Sequence, residues 1–203
     1  MVFISFIIPT IGRESLKESL YSIINQSDSD WEVIVIFDGV KKNIDINNEK
    51  IKYIEIEKIG NDKLKNYSGL VRNIGFNYVH NSEWIGFLDD DDILSLEYIA
   101  YLKEEILLKN NIDLCIFRMA YSNGVVLPSK LDKNINRNKV GISFAIRKYI
   151  TEKIIFNNNP FEDYLFLKEV QQKKYIIVIS SHVAYFIRTS FKKYDLYPRV
   201  YIY

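Results

Sequence analysis

The sequence predicts an α/β fold in which helices flank a mostly parallel central sheet, and three observations carry that prediction. Runs rich in β-branched and aromatic residues alternate with segments whose apolar residues recur at helical spacing, the signature of βαβ units. At 203 residues the chain suits one α/β domain with a sizeable core and is short for two. One apolar run, Trp84-Ile-Gly-Phe-Leu88, ends in four consecutive aspartates, Asp89 to Asp92, so a buried strand delivers carboxylates to one edge of the sheet.

The elements follow in order. A first strand is expected over residues 2–8. Gly12 and Arg13 then open a helix with Leu16, Leu20, Ile23 and Ile24 on one face, ending near Gln26. Residues 31–37 and 51–56 read as strands separated by an Asn/Lys-rich loop, and the polar segment 58–68 reads as mobile. A helix over 69–80 turns Val71, Ile74, Gly75 and Tyr78 inward, with Gly69 and Gly75 as close-packing positions. The strand at 84–88 bears the acidic run, and a helix at 94–109 places Leu96, Ile99, Ile106 and Leu107 on its core side. Right-handed crossovers put these helices on both faces of the sheet and align the strands' carboxyl ends along one edge, where open α/β sheets bind ligands.

Beyond the strand-like stretch 113–121 the pattern changes character. Gly124 marks a turn, residues 139–147 read as an isolated strand, and a helix starts after Pro160 and runs to about Gln172. Two short strands, 175–180 and 183–188, complete the pattern. No internal repeat or convincing linker divides the chain.

Charge and cysteine usage narrow the function. The 27 basic and 26 acidic side chains leave a net charge of +1, which lacks the basic footprint of a nucleic-acid binder and favours a small, specific ligand. Cys115 is the only cysteine and lies in an apolar run, so a reducing compartment is expected. The apolar start at 1–8 has no basic flank and runs into Pro9, which reads as a buried strand rather than a signal peptide or transmembrane segment.

The acidic run is the strongest chemical signal. Adjacent carboxylates raise one another's pKa unless a cation or a donor network compensates, and hard oxygen ligands select Mg²⁺ or Mn²⁺ over Zn²⁺. A calcium loop would space its ligands at alternate positions around a glycine turn, which this run does not do.

The ordered motifs resemble a family 2 glycosyltransferase of the GT-A fold. They are Ile8-Pro9-Thr10, Phe37-Asp38-Gly39, Gly69-Leu-Val-Arg72-Asn73-Ile-Gly75, Phe87-Leu-Asp89-Asp-Asp91-Asp92 and Phe161-Glu162-Asp163, together covering about residues 2–190. The resemblance implies a single GT-A domain over 1–203: a nucleotide-sugar half over about 1–120, an acceptor and catalytic-base half over about 121–190, and a tail at 191–203. The function it implies is metal-dependent inverting transfer of a hexose or N-acetylhexosamine from a UDP-sugar to a hydroxyl acceptor.

The site residues follow from the same resemblance. Asp91 is the direct ligand of Mn²⁺ or Mg²⁺. Asp89 faces the ribose or the metal's water shell, with Asp90 sharing the ribose role. Asp92, just before a helical pattern, reads as a helix cap. Thr10 and Asp38 face the base, where a carboxylate accepts the uracil N3 proton; an Asp-Gly turn is the competing reading of Asp38. Arg72 lies beside the nucleotide, or else is a solvent-exposed helix arginine.

The start of the last helix carries the base. Asn159, Pro160 and Glu162 have helix-start chemistry, which accounts for Glu162 as a capping residue and leaves Asp163 as the catalytic base or an exposed helix carboxylate. His182 is a candidate metal ligand or a turn histidine, and Arg188 a partner of phosphate or of the acidic run. The partners expected are a UDP-sugar donor and a carbohydrate or other hydroxyl acceptor. The enzyme is expected in the cytoplasm, soluble or peripherally membrane-associated, and compatible with further domains or a homo-oligomer. The competing functions are a nonenzymatic nucleotide-sugar or glycan-binding module and a sugar-phosphate nucleotidyltransferase. The latter lacks its triphosphate-cradling loop, since Thr10-Ile-Gly-Arg13 is too spare.

Overall fold

The computed structural model describes residues 2–59 and 67–188. Most of the polar segment 58–68 and the whole tail 191–203 lie outside the described residues. The expected α/β architecture is the one observed, with a nine-stranded sheet and four α-helices among the described residues.

The first half is parallel. Strand β1 (Val2–Thr10) lies between β2 (Trp31–Asp38) and β4 (Ser82–Phe87), with β3 (Ile51–Ile56) outside β2. Every residue of β1 from Ile4 to Thr10 is buried, the continuous pattern expected of a parallel strand covered on both faces. Helix α1 (Leu16–Ile24) buries Leu16, Ser19, Leu20 and Ile23, whose spacing gives one stripe facing the sheet. Thr10 pairs with Phe37 and Ile7 with Phe87, so the carboxyl ends of β1, β2 and β4 finish along one edge.

The second half of the sheet is mixed. Strand β8 (Phe144–Arg147) runs antiparallel to both β4 and β6 (Leu114–Tyr121), while β9 (Ile177–Ile187) runs parallel to β6. A two-residue strand β5 (Ile93–Leu94) closes the far edge against β9, and β7 (Val126–Leu127) forms a hairpin arm on β6.

Several expected boundaries move. The strand read over 139–147 shortens to β8 and is not isolated, because both its edges are hydrogen-bonded. The two strands expected at 175–180 and 183–188 are one, β9, whose pairing to β6 is interrupted by register shifts between Ile116 and Met119. Helix α2 (Ser68–Phe76) stops before His80, and helix α3 (Tyr98–Lys109) starts after Leu94, whose segment is taken by β5. The α3 stripe is Tyr98, Ile99, Leu102 and Glu105; Leu107 falls some 200° from Glu105 at 100° per residue and is 79% exposed, and Leu96 is exposed as well.

Helix α4 (Glu162–Gln172) packs Phe166 against Phe144 of β8 and against Phe156. Phe76, Phe87, Phe144, Phe156 and Phe166 interlock there, with ring centroids 4.5 Å apart for Phe156 and Phe166 and 5.4 Å for Phe87 and Phe156. Asn73 clamps this cluster to α2: its amide donates to the Phe156 carbonyl at 2.8 Å and accepts the Phe156 N–H at 2.9 Å.

Gly75 is the close-packing position the sequence indicates. A Cβ there would sit 2.6 Å from Ile7 Cγ2 in β1. Gly75→Ala is expected to destabilise the protein by about 1–3 kcal/mol through overpacking, read as a lower urea midpoint with an unchanged m-value.

Candidate active site

The four aspartates that follow β4 point to different partners. Asp90 turns inward and is buried: Thr10 Oγ1 donates to it at 2.6 Å and Arg13 at 2.8 Å. Burial raises its pKa, opposed by the Thr10 hydrogen bond and the Arg13 charge. Asp91 is half-buried and pairs with the same Arg13 guanidinium at 2.9 Å. Asp92 is buried and accepts the Arg188 backbone N–H at 2.9 Å.

The expectation that Asp92 caps a helix is corrected. The next helix, α3, begins six residues later with Glu97 at its cap position. Asp92 instead anchors the end of β9, and burial, with Asp89 and Asp91 nearby, pushes its carboxyl up to about 7.

One oxygen each from Asp89, Asp91 and Asp92 lies within 4.8 Å of the others. This all-carboxylate set fits a hard divalent cation.

Arg72 links this cluster to α4. Its side chain is 2% exposed, so the solvent-exposed reading is excluded. Nη2 donates to Asp89 at 2.5 Å, Nη1 donates to Glu162 at 2.8 Å, and Asp163 Oδ1 lies 3.7 Å from Nη1. The guanidinium lies 5.6 Å from the Phe156 ring centroid. Its pKa is held above the ordinary arginine value by Asp89, Asp163 and Glu162, against burial.

Asp163 therefore shares one site with Asp89, although they are 74 positions apart in the chain. Burial pushes its carboxyl up to about 7; Arg72 lowers it, and Asp89 and Glu162 raise it further. Its Oδ1 has no hydrogen-bond partner among the described residues. Glu162 is buried and accepts from both Arg72 and the Ser68 hydroxyl, so it is no capping residue. Asn159 Oδ1 instead accepts the Phe161 N–H at 3.0 Å.

The remaining expected residues divide. Thr10 is buried at the tip of β1, with its hydroxyl spent on Asp90 and on the Gly12 N–H. Asp38 is buried at the tip of β2; Oδ1 accepts the Ile59 N–H at 2.7 Å and Oδ2 faces Lys58 at 3.2 Å. Gly39, at φ +71°, makes the turn that follows. His182 is not brought to the acidic cluster: it stacks on Tyr101 at 3.9 Å, and Nε2 lies 3.1 Å from Glu104, both on α3. Arg188 does join the acidic segment, donating to the Asp91 and Ser15 carbonyls and pairing with Glu18.

Sequence reasoning assigned no role to Tyr185, whose hydroxyl accepts the Asp89 N–H at 3.1 Å. It also passed over Arg13 as a partner of the aspartates and Glu162 as a partner of Arg72. Of these, only Tyr185 carried a signal, a hydroxyl within the apolar run Val183-Ala-Tyr185-Phe-Ile187; Arg13 and Glu162 lie in polar stretches.

Residues 5–195 match the description "Glycosyl transferase family 2". The chain belongs to that family. Among relatives of this family 2 glycosyltransferase, UDP-Glc:alpha-D-GlcNAc-diphosphoundecaprenol beta-1,3-glucosyltransferase WfgD of Escherichia coli is 26% identical over 140 residues. The match takes in 68% of this chain and 54% of WfgD, so the chain spans about half of that relative's length. In structure it is similar to S. aureus TarS 1–349, with a TM-score of 0.72 and 19% identity, over 91% of this chain and 60% of that one. A structure of the same TarS fragment in complex with UDP-GlcNAc gives a TM-score of 0.69 at 19% identity, over 91% and 58% of the two chains.

Arg72→Met is expected to cost about 3–5 kcal/mol of stability by leaving buried Glu162 without a counter-charge. Combining it with Glu162→Leu is expected to recover part of that loss; urea unfolding of the two variants reads both effects.

Proposed function

We propose that this family 2 glycosyltransferase transfers a hexose or N-acetylhexosamine from a UDP-sugar to a hydroxyl acceptor, in a metal-dependent reaction that inverts the anomeric centre. The observation that carries the reading is the Arg72 bridge, which holds Asp89 after β4 and Glu162 and Asp163 at the start of α4 around one guanidinium. The names of the relatives support the donor and suggest the acceptor: WfgD's joins a UDP-sugar to a sugar on a lipid diphosphate, and TarS has been solved with UDP-GlcNAc.

In this reading Asp89, Asp91 and Asp92 hold Mn²⁺ or Mg²⁺. Bound there, the cation supplies charge neutralisation for the departing diphosphate. Asp91 is the ligand with the fewest protein partners, while Asp92 is fixed by the Arg188 backbone N–H. Asp38 accepts the uracil N3 proton with a lone pair left over from Ile59 and Lys58, since a carboxylate offers about four acceptor sites. Thr10 lies at the base end of this wall, with its hydroxyl committed to Asp90 and the Gly12 N–H. Asp90 supports Thr10 and Arg13 from beneath, and Asp89 lies toward the ribose side.

Asp163 removes the proton from the acceptor hydroxyl as that oxygen attacks the anomeric carbon opposite the diphosphate. A base with a pKa of about 7 is largely ionised just above neutrality and still basic enough to take the proton. Arg72 contributes by position: it keeps Asp163 and Asp89 on either side of one charge.

UDP release from a UDP-hexose panel is expected to require Mn²⁺ or Mg²⁺, and Asp91→Ala to lower kcat about 10²- to 10³-fold with the circular dichroism unchanged. Turnover that survives chelation refutes the metal assignment. For Asp163, kcat/KM is expected to rise with pH up to about 7 and then level off, as the carboxyl loses its proton. Asp163→Asn is expected to lose about 10²- to 10⁴-fold and with it that rise; a variant retaining the pH profile rules Asp163 out as base.

A further inference from the structure

The loop between β7 and β8 carries charge that the donor chemistry does not use. Residues 129–141 contain Lys130, Lys133, Arg137 and Lys139 against a single acid, Asp132. Asp132 is fully committed: Lys139 lies 2.6 Å from one oxygen and the Ser129 N–H 2.8 Å from the other, which hold its carboxyl down at about 2. Lys130, Lys133 and Arg137 therefore have no ion-pair partner among the described residues. Between the first two, Leu131 is 90% exposed.

Arg137 is exposed but not loose. Its guanidinium carbon lies 3.5 Å from the centroid of the Phe161 ring, a cation–π stack that fixes the head group while leaving its N–H edge free. Phe161 is two residues before Asp163. The same loop returns to the base at Gly141, where a Cβ would sit 4.0 Å from Asp163 Oδ2. A cation with unspent donors is thus mounted on the segment that leads into the proposed base.

We propose that Arg137, stacked on Phe161, binds the phosphate or diphosphate of a lipid-linked acceptor, with Lys130 and Lys133 adding charge and Leu131 meeting the lipid chain. This rests on the transferase reading above and names the acceptor class for the same site. A guanidinium is the side chain whose fork matches phosphate oxygens, and a stacked one loses little freedom on binding. Charge complementarity argues for an anionic acceptor here: the donor side is acidic and suits a cation, whereas this wall is basic.

The test is calorimetric titration of the whole chain with octyl diphosphate, in UDP and Mn²⁺ sufficient to fill the donor site. Octyl glucoside and inorganic diphosphate serve as comparison probes. Wild type is expected to bind octyl diphosphate, and Arg137→Ala to weaken it about ten- to a hundredfold, the loss of a charge-assisted contact. Phe161→Ala is expected to weaken it less, and Arg137→Lys to restore part. UDP binding, measured first in each variant, is expected to stay unchanged. No binding of octyl diphosphate by wild type, or equal affinity in Arg137→Ala, overturns the proposal. Equal affinity for inorganic and octyl diphosphate removes the lipid from it. Absence of UDP binding in wild type counts against the transferase reading instead, and the Arg137→Ala comparison then still decides the anion site.

Discussion

A buried guanidinium is the constraint on which the site depends. Taking an arginine out of water costs several kcal/mol unless anions surround it, and the anions that surround Arg72 come from two distant parts of the chain. Asp89 follows β4, while Glu162 and Asp163 open α4. Three carboxylates share one positive charge, so the balance is negative; burial, with the neighbouring carboxylates adding to it, holds Glu162 and Asp163 above the usual carboxylate range. Phe156 supplies a dry floor, and Asn73 ties that floor to the helix that carries the arginine. Structural and chemical demands therefore meet in the same few atoms.

The parallel half of the fold was legible because its signals are local. Continuous apolar runs and a helical stripe such as Leu16, Leu20 and Ile23 depend on neighbours in sequence alone. The mixed half depends on partners elsewhere. Four-residue β8 is a strand because β4 and β6 lie on either side of it, and the length of β9 is hidden by the polar Ser180-Ser181-His182 stretch in its middle. Leu94 has the pattern of a helix start, yet it pairs with Tyr185.

Within the site, residue types were legible and their directions were not. Four adjacent aspartates announce an acidic site, but Thr10, Arg13, Arg72 and Arg188 decide which way each one turns. Glu162 shows how a sufficient local account can mislead: helix-start chemistry explained it without reference to Arg72. His182 was singled out for its imidazole, which stacks against α3 instead. Asp163 was left over by the capping account, and that remainder was informative.

The wedging of β8 between β4 and β6 has an evolutionary consequence. Segments from the first and second halves of the chain are interleaved in one sheet, and the Arg72–Glu162 pair crosses from one to the other. Replacement of the second half of the chain is therefore constrained: a recombinant inherits an intact seam only when the incoming β8 edge and the residue at position 162 suit the resident β4 and Arg72. Diversification is freer in the loop between β7 and β8, which can change length and charge without breaking that seam.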